Sequence, residues 1–143
     1  MENNVSVKIK AILENVSFAR LVVSGFLLEC NLLVNTVNEI KTIVSEAITN
    51  SIYHGYNLDS NNYVTLNLDL KDNHLTIEVI DDGVGIDDIE LAKTPLYSSK
   101  PTEERSGLGF TIMEMFSDEV IVTSKEENGR GTKVVCKKVL DLG

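Results

Sequence analysis

Period-two alternation opens the chain. Val5, Val7, Ile9 and Ala11 are separated by Ser6, Lys8 and Lys10, which predicts a strand. From Ser17 to Cys30 the period lengthens to that of a helix, with Phe18, Leu21, Val22, Gly25 and Leu28 on one face. A second helix is predicted from about Thr36 to His54, with Val37, Ile40, Val44 and Ile48 along one side. Alternation returns at Val64, Leu66, Leu68 and Leu70, set between Tyr63, Thr65, Asn67 and Asp69. Leu75, Ile77 and Val79 continue it after a turn at Lys71-Asp72-Asn73. Both prolines, Pro95 and Pro101, fall in the polar stretch from Thr94 to Ser106, which reads as one long loop. Loops of that length in a compact domain are usually functional or disordered. A short helix from Gly107 to Phe116 follows. Asp118 to Lys125 and Thr132 to Leu140 then form a closing hairpin around Asn128-Gly129. Helices gathered against a mostly antiparallel, mixed sheet predict an α+β fold, a two-layer sandwich with helices on one face.

Composition narrows the class. The 143 residues suit a single domain, and a 43% hydrophobic content with mean hydropathy +0.01 is that of a globular chain. No apolar run approaches the roughly 18 residues of a membrane span, and MENNVSVKIK has no signal-peptide core. A cytoplasmic protein is expected. Thirteen basic against 22 acidic residues leave a net charge of −9, which argues against nucleic-acid binding. It permits a basic protein partner, or a nucleotide in a locally positive pocket. Cys30 and Cys136 form neither a CxxC nor a metal spacing and read as reduced thiols.

Three segments carry polar residues in places that invite chemistry. On the second helix, Glu46, Thr49, Asn50 and Tyr53 share a side away from Val44 and Ile48. That side is either the wet face of an amphipathic helix or the wall of a pocket. In a pocket, Glu46 could accept a proton and Asn50 could offer an amide oxygen to a hard cation. His54, followed by Gly55, reads as a helix cap. In Asp81-Asp82-Gly83-Val84-Gly85, Asp81 continues the inward phase of Leu75, Ile77 and Val79. A carboxylate there needs a partner, either a backbone turn or an exocyclic amino group. Gly83 and Gly85 would let a ring approach the backbone. In Arg105-Ser106-Gly107-Leu108-Gly109, glycines open a helix and expose its N–H groups. Arg105 and Lys100 would add charge for a terminal phosphate there, unless the segment is only a glycine hinge.

The order of these motifs, closed by Gly129-Arg130-Gly131-Thr132, resembles the gyrase, heat-shock chaperone, histidine-kinase and mismatch-repair superfamily of ATP-binding domains, with its Bergerat-type fold. SEAITNSIYHGY, IDDGVGIDDIELAKTPLYSSKP and ERSGLGFTIMEMFSDEV resemble its sigma-inhibiting serine kinases from endospore-forming bacteria, and the likeness runs over the whole chain. The resemblance implies a protein that inhibits a sporulation sigma factor of the F type and phosphorylates a serine of its anti-anti-sigma antagonist with Mg·ATP. It implies Glu46 as general base, Asn50 as Mg²⁺ ligand and Thr49 near the phosphates. It implies Asp81 on the adenine amine, with Thr132 helping and Gly83 and Gly85 along the base. Lys100, Arg105, Ser106, Gly107 and Gly109 would hold phosphates, and residues from about 93 to 106 would form an ATP lid. A homodimer is implied too, with the N-terminal strand as a plausible interface.

Arg20 is expected on an outer face of the first helix with Ser24, Val23 and Leu27, opposite Phe18 and Val22. It is either an ordinary solvated arginine or, as the resemblance implies, a docking residue shared by both protein partners. The alternatives are a stress-response sigma-inhibiting kinase and a sigma-binding module without kinase activity. A histidine-kinase ATP domain is disfavoured, because neither His54 nor His74 is a credible phosphoacceptor.

Overall fold

The computed structural model describes residues 1–94, 108–124 and 130–141. The elements run β1 (Glu2–Lys10), α1 (Glu14–Phe26), α2 (Val34–Asn50), a π-type turn (Ser51–Gly55), β2 (Tyr63–Lys71), β3 (His74–Asp81), α3 (Ile89–Ala92), α4 (Gly109–Phe116), β4 (Glu119–Ser124) and β5 (Thr132–Val139). The strands form one sheet in the order β1-β2-β3-β5-β4. Each neighbouring pair is antiparallel, so the sheet is not mixed as the sequence suggested. Helices over one face make it an α+β sandwich.

Alternation decides which face is which. Val64, Leu66, Leu68 and Leu70 of β2, with Leu75, Ile77 and Val79 of β3, are buried against the helix layer. Ala19 and Val23 of α1, Ile40, Ile43, Val44, Ala47 and Ile48 of α2, and Phe110 and Met113 of α4 complete that core. The opposite sheet face is polar. There Asn67 Nδ2 donates to Glu78 Oε1 at 2.8 Å, and Glu78 pairs with Lys133 at 3.4 Å. The β2–β3 turn is tight, Lys71 facing His74, with Asp72 at φ 56°.

Three further expectations are corrected. The first concerns α1, which lies at Glu14–Phe26 rather than Ser17 to Cys30 and turns its other face inward. Val23 and Leu27 are 0% and 4% exposed, whereas Phe18, Leu21 and Leu28 are 48%, 68% and 76% exposed. Arg20 therefore does not share an outer face with Val23 and Leu27. It sits half-buried at the border between core and surface, and its Nη1 donates to Ser45 Oγ of α2 at 2.8 Å. Both faces of α1 are apolar, so periodicity cannot choose between them. Packing chose the face with Ala19, whose small side chain lets α1 lie close against α2. The second correction is the end of the long helix. It leaves α geometry after Asn50, and the Tyr56 N–H reaches back to the Ser51 carbonyl at 2.9 Å. The first strand also ends at Lys10, leaving Ala11 outside it.

Candidate functional site

α2 brings the first group of polar residues together. Glu46, Thr49, Asn50 and Tyr53 are all partly buried, between the core stripe and solvent. What faces Glu46 and Asn50 is the first residue of α4. A Cβ placed on Gly109 would lie 3.0 Å from Asn50 Nδ2, 3.2 Å from Asn50 Oδ1 and 3.3 Å from Glu46 Oε2. With only hydrogen at Gly109, the positive end of a helix dipole lies close to these side chains, and a methyl there would push them by a few tenths of an ångström. Lys138 holds α4 in place, donating to the Phe116 carbonyl at 2.7 Å and pairing with Glu39 of α2 at 3.5 Å. Next to Asn50 in sequence, Thr49 Oγ1 is buried without a hydrogen-bond partner among the described residues. A buried hydroxyl in that condition is a polar atom suited to a ligand.

β3 delivers the second group. Its inward phase carries past Val79 to Asp81, which is 5% exposed at the strand's end. Burial pushes the Asp81 carboxyl above the usual aspartate range. Hydrogen bonds from Gly83 N–H, the Ser51 hydroxyl and the Thr132 backbone pull partly the other way. The Gly83 bond is 2.9 Å. Thr132 is the β5 register partner of Asp81 and is buried on the same face as Val134 and Cys136. The following turn is held on two sides. Val84 N–H donates to the Gly55 carbonyl at 2.9 Å, and Ile86 N–H donates to Ser124 Oγ. Gly85 takes φ 80°, a conformation that suits glycine. Gly131 has φ 77°, and a Cβ there would fall 2.0 Å from the Asp81 carbonyl oxygen.

The structure thus brings Glu46 and Asn50 against Gly109, with Thr49 partly buried next to Asn50 on α2, and gathers Asp81, Gly83, Gly85 and Thr132 around the end of β3. Lys100, Arg105, Ser106 and Gly107, most of the expected lid, and the Asn128-Gly129 turn lie outside the described residues. Three supporting residues escaped the sequence reading. Ser51 lies on the apolar stripe of the second helix, three residues beyond Ile48, and a hydroxyl in that phase was its signal. Tyr56 and Ser124 reach across to other segments, and no local pattern marks them. Among the described residues there is no cluster of three metal-ligating side chains and no helix long and apolar enough to cross a membrane.

A sheet with helices on one face, a helix carboxylate and amide against a helix N-terminus, and a buried aspartate before a glycine turn define a class. Residues 9–138 match the family of histidine kinase-like ATPase domains, and the chain belongs to that family. Its relatives narrow the class further. The chain is 45% identical over 141 residues to the anti-sigma F factor of Clostridium beijerinckii, covering 99% of this chain and 97% of the relative. It is 49% identical over 138 residues to the anti-sigma F factor of Geobacillus kaustophilus, covering 96% and 93%. Among solved structures, the RsbU and RsbW domains of a Mycobacterium tuberculosis protein superpose with a TM-score of 0.69 at 17% identity. That match covers 96% of this chain and 32% of the other, and it shows a shared fold.

Proposed function

We propose that the chain is a cytoplasmic anti-sigma factor that binds and inhibits a sporulation sigma factor of the F type. We propose also that it is a kinase, using Mg·ATP to phosphorylate a serine of its anti-anti-sigma antagonist. Near full-length similarity to anti-sigma F factors supports the first half. One observation carries the second: the Glu46 carboxylate and Asn50 amide lie against Gly109 at the start of α4.

The residues suit a magnesium nucleotide. Asn50 offers a neutral amide oxygen, enough for a Mg²⁺ that takes most of its ligands from phosphate and water. When bound, Mg²⁺ neutralises phosphate charge. Thr49 Oγ1, buried and unpartnered among the described residues, lies beside Asn50 in sequence and would face the phosphates. Gly109, with Lys100, Arg105, Ser106 and Gly107, would supply N–H groups and positive charge to them. Asp81 accepts the adenine amine, Thr132 supports it, and Gly83 and Gly85 line the base. Glu46 takes the proton of the attacking serine hydroxyl. The serine oxygen bonds to the γ-phosphorus, the bond to the bridging oxygen breaks, and ADP leaves. Residues 93–106 act as the lid that keeps water from competing.

Arg20 serves the protein partners. Among the described residues its polar partner is a neutral hydroxyl, Ser45, and the exposed apolar Phe18 and Leu21 lie on the same helix, with Leu28 just past its end. A guanidinium beside apolar side chains is a common interface pairing. β1 ends the sheet order, and its outer edge is where a second copy would pair in a homodimer.

The test is to mix the chain with γ-labelled Mg·ATP and the candidate antagonist. Acid-stable label on an antagonist serine, lost in Glu46→Gln while ATP binding persists, is expected. Label that survives Glu46→Gln removes Glu46 as the base. No label from a chain that binds ATP and a verified antagonist leaves a sigma-binding module without kinase activity.

A further inference from the structure

The β2–β3 ladder stops short beside Asp81. Its last register pair is Thr65 with Ile80. Two positions along the same register, Tyr63 faces Asp82. Antiparallel neighbours alternate between pairs that exchange hydrogen bonds and pairs that do not. On the other side of β2, Ala11 N–H donates to the Asn62 carbonyl at 2.9 Å, so the next residue, Tyr63, turns its backbone polar groups toward β3. The bond due at this point is Asp82 N–H to the Tyr63 carbonyl.

A phenol stands in that bond. Asp82 N–H donates to Tyr56 Oη at 2.7 Å, and Tyr56 Oη–H donates to the Tyr63 carbonyl at 2.6 Å. Two bonds end to end thus replace one of about 2.9 Å. The strands are held apart at the end of β3, where it parts from β2 while still paired with β5 at Thr132. The wedge itself is fixed. Tyr56 is 7% exposed and follows the π-type turn directly. That turn also supplies the Ser51 hydroxyl to Asp81 and the Gly55 carbonyl to Val84.

We infer that Tyr56 is a positioning residue for the nucleotide base, its hydroxyl holding β3 off β2 and so setting the Asp81 carboxylate toward Thr132 and Gly55. This rests on the reading of Asp81 as acceptor of the adenine amine. Without the hydroxyl, Asp82 N–H can close directly onto the Tyr63 carbonyl, which draws Asp81 toward β2. The alternative outcome leaves both backbone groups without a partner.

The experiment compares Mg·ATP with Mg·purine riboside triphosphate, which lacks only the 6-amino group. In the native chain ATP binds more tightly. In Tyr56→Phe, ATP affinity falls about tenfold, the effect of one hydrogen bond, and purine riboside triphosphate affinity holds. The preference shrinks by the same factor. Equal loss for both nucleotides, or loss for neither, overturns the inference, because a merely structural tyrosine does not discriminate between them. Asp81→Ala, run alongside, erases the preference; a preference that survives it overturns the adenine assignment instead. Should Tyr56→Phe not fold, amide exchange at Asp82 of the native chain decides. ATP slows it more than purine riboside triphosphate if the wedge and the base are linked, and equal slowing refutes the link.

Discussion

Gly83→Ala tests whether the nucleotide turn is built by contact with the π-type turn. A Cβ on Gly83 would lie 2.0 Å from the Gly55 oxygen, 2.4 Å from its carbonyl carbon and 2.7 Å from its Cα. Gly83 is not among the positive-φ residues, so the obstacle is space rather than torsion. All three atoms are backbone, and no rotamer change relieves the clash. The turn must back away by about 1.5–2 Å to reach ordinary contact distance. That movement breaks the 2.9 Å bond from Val84 N–H to Gly55 and strains the 2.9 Å bond from Gly83 N–H to Asp81. A lost bond costs about 1 kcal/mol, and a buried group left unpartnered costs about 1–3. The expected loss is about 2–4 kcal/mol from a total of about 5–15. Gly25→Ala is the control. Nothing lies within 4 Å of its would-be Cβ, and it sits inside α1, so helix propensity should add about 0.8–1 kcal/mol. Urea denaturation of both variants reads the opposite shifts, and an ATP titration reads weakened binding in Gly83→Ala alone. A Gly83→Ala midpoint within about 0.5 kcal/mol of native, with ATP affinity unchanged, refutes the close-contact account.

Asp81→Asn should separate stability from function. Burial raises the native carboxyl, so the folded state holds this proton more tightly than the unfolded state. The stability it contributes is present below the unfolded value and is lost as pH rises through the folded one. Above the folded value the ionised Asp81 therefore costs stability relative to its protonated form. Asn should raise the urea midpoint there and flatten the decline from the aspartate range upward. ATP affinity should fall roughly 10- to 150-fold as a charge-assisted bond is lost; a pH profile parallel to native contradicts the linkage. Gly109→Ala should keep stability within about 1 kcal/mol yet slow phosphoryl transfer about tenfold, because its Cβ displaces Asn50 and Glu46. A variant with full transfer speaks against the site. Burial pushes the Cys136 thiol up to about 11, so iodoacetamide should label it only after unfolding, as mass spectrometry can follow. Rapid labelling of the native chain contradicts that burial.

What depends on period and phase was legible in the chain alone. Leu66, Leu68, Leu75 and Ile77 had to share a buried face because strand side chains alternate. The same phase carried Asp81 and Thr132 inward from two segments far apart in the chain. Helical spacing put Glu46, Thr49 and Asn50 on one side. Tertiary structure decided what depends on a partner. Whether Phe18 or Val23 faced the core could not be read from α1, since both of its sides are apolar and only the fit against α2 distinguishes them. Gly109 gained its meaning from Glu46 and Asn50, far upstream in the chain. Tyr56 entered the β2–β3 ladder because three segments converge where Tyr63 and Asp82 fail to meet. Periodicity is a property of neighbours along the chain. A hydrogen bond between distant segments depends on the register in which the folded layers come together.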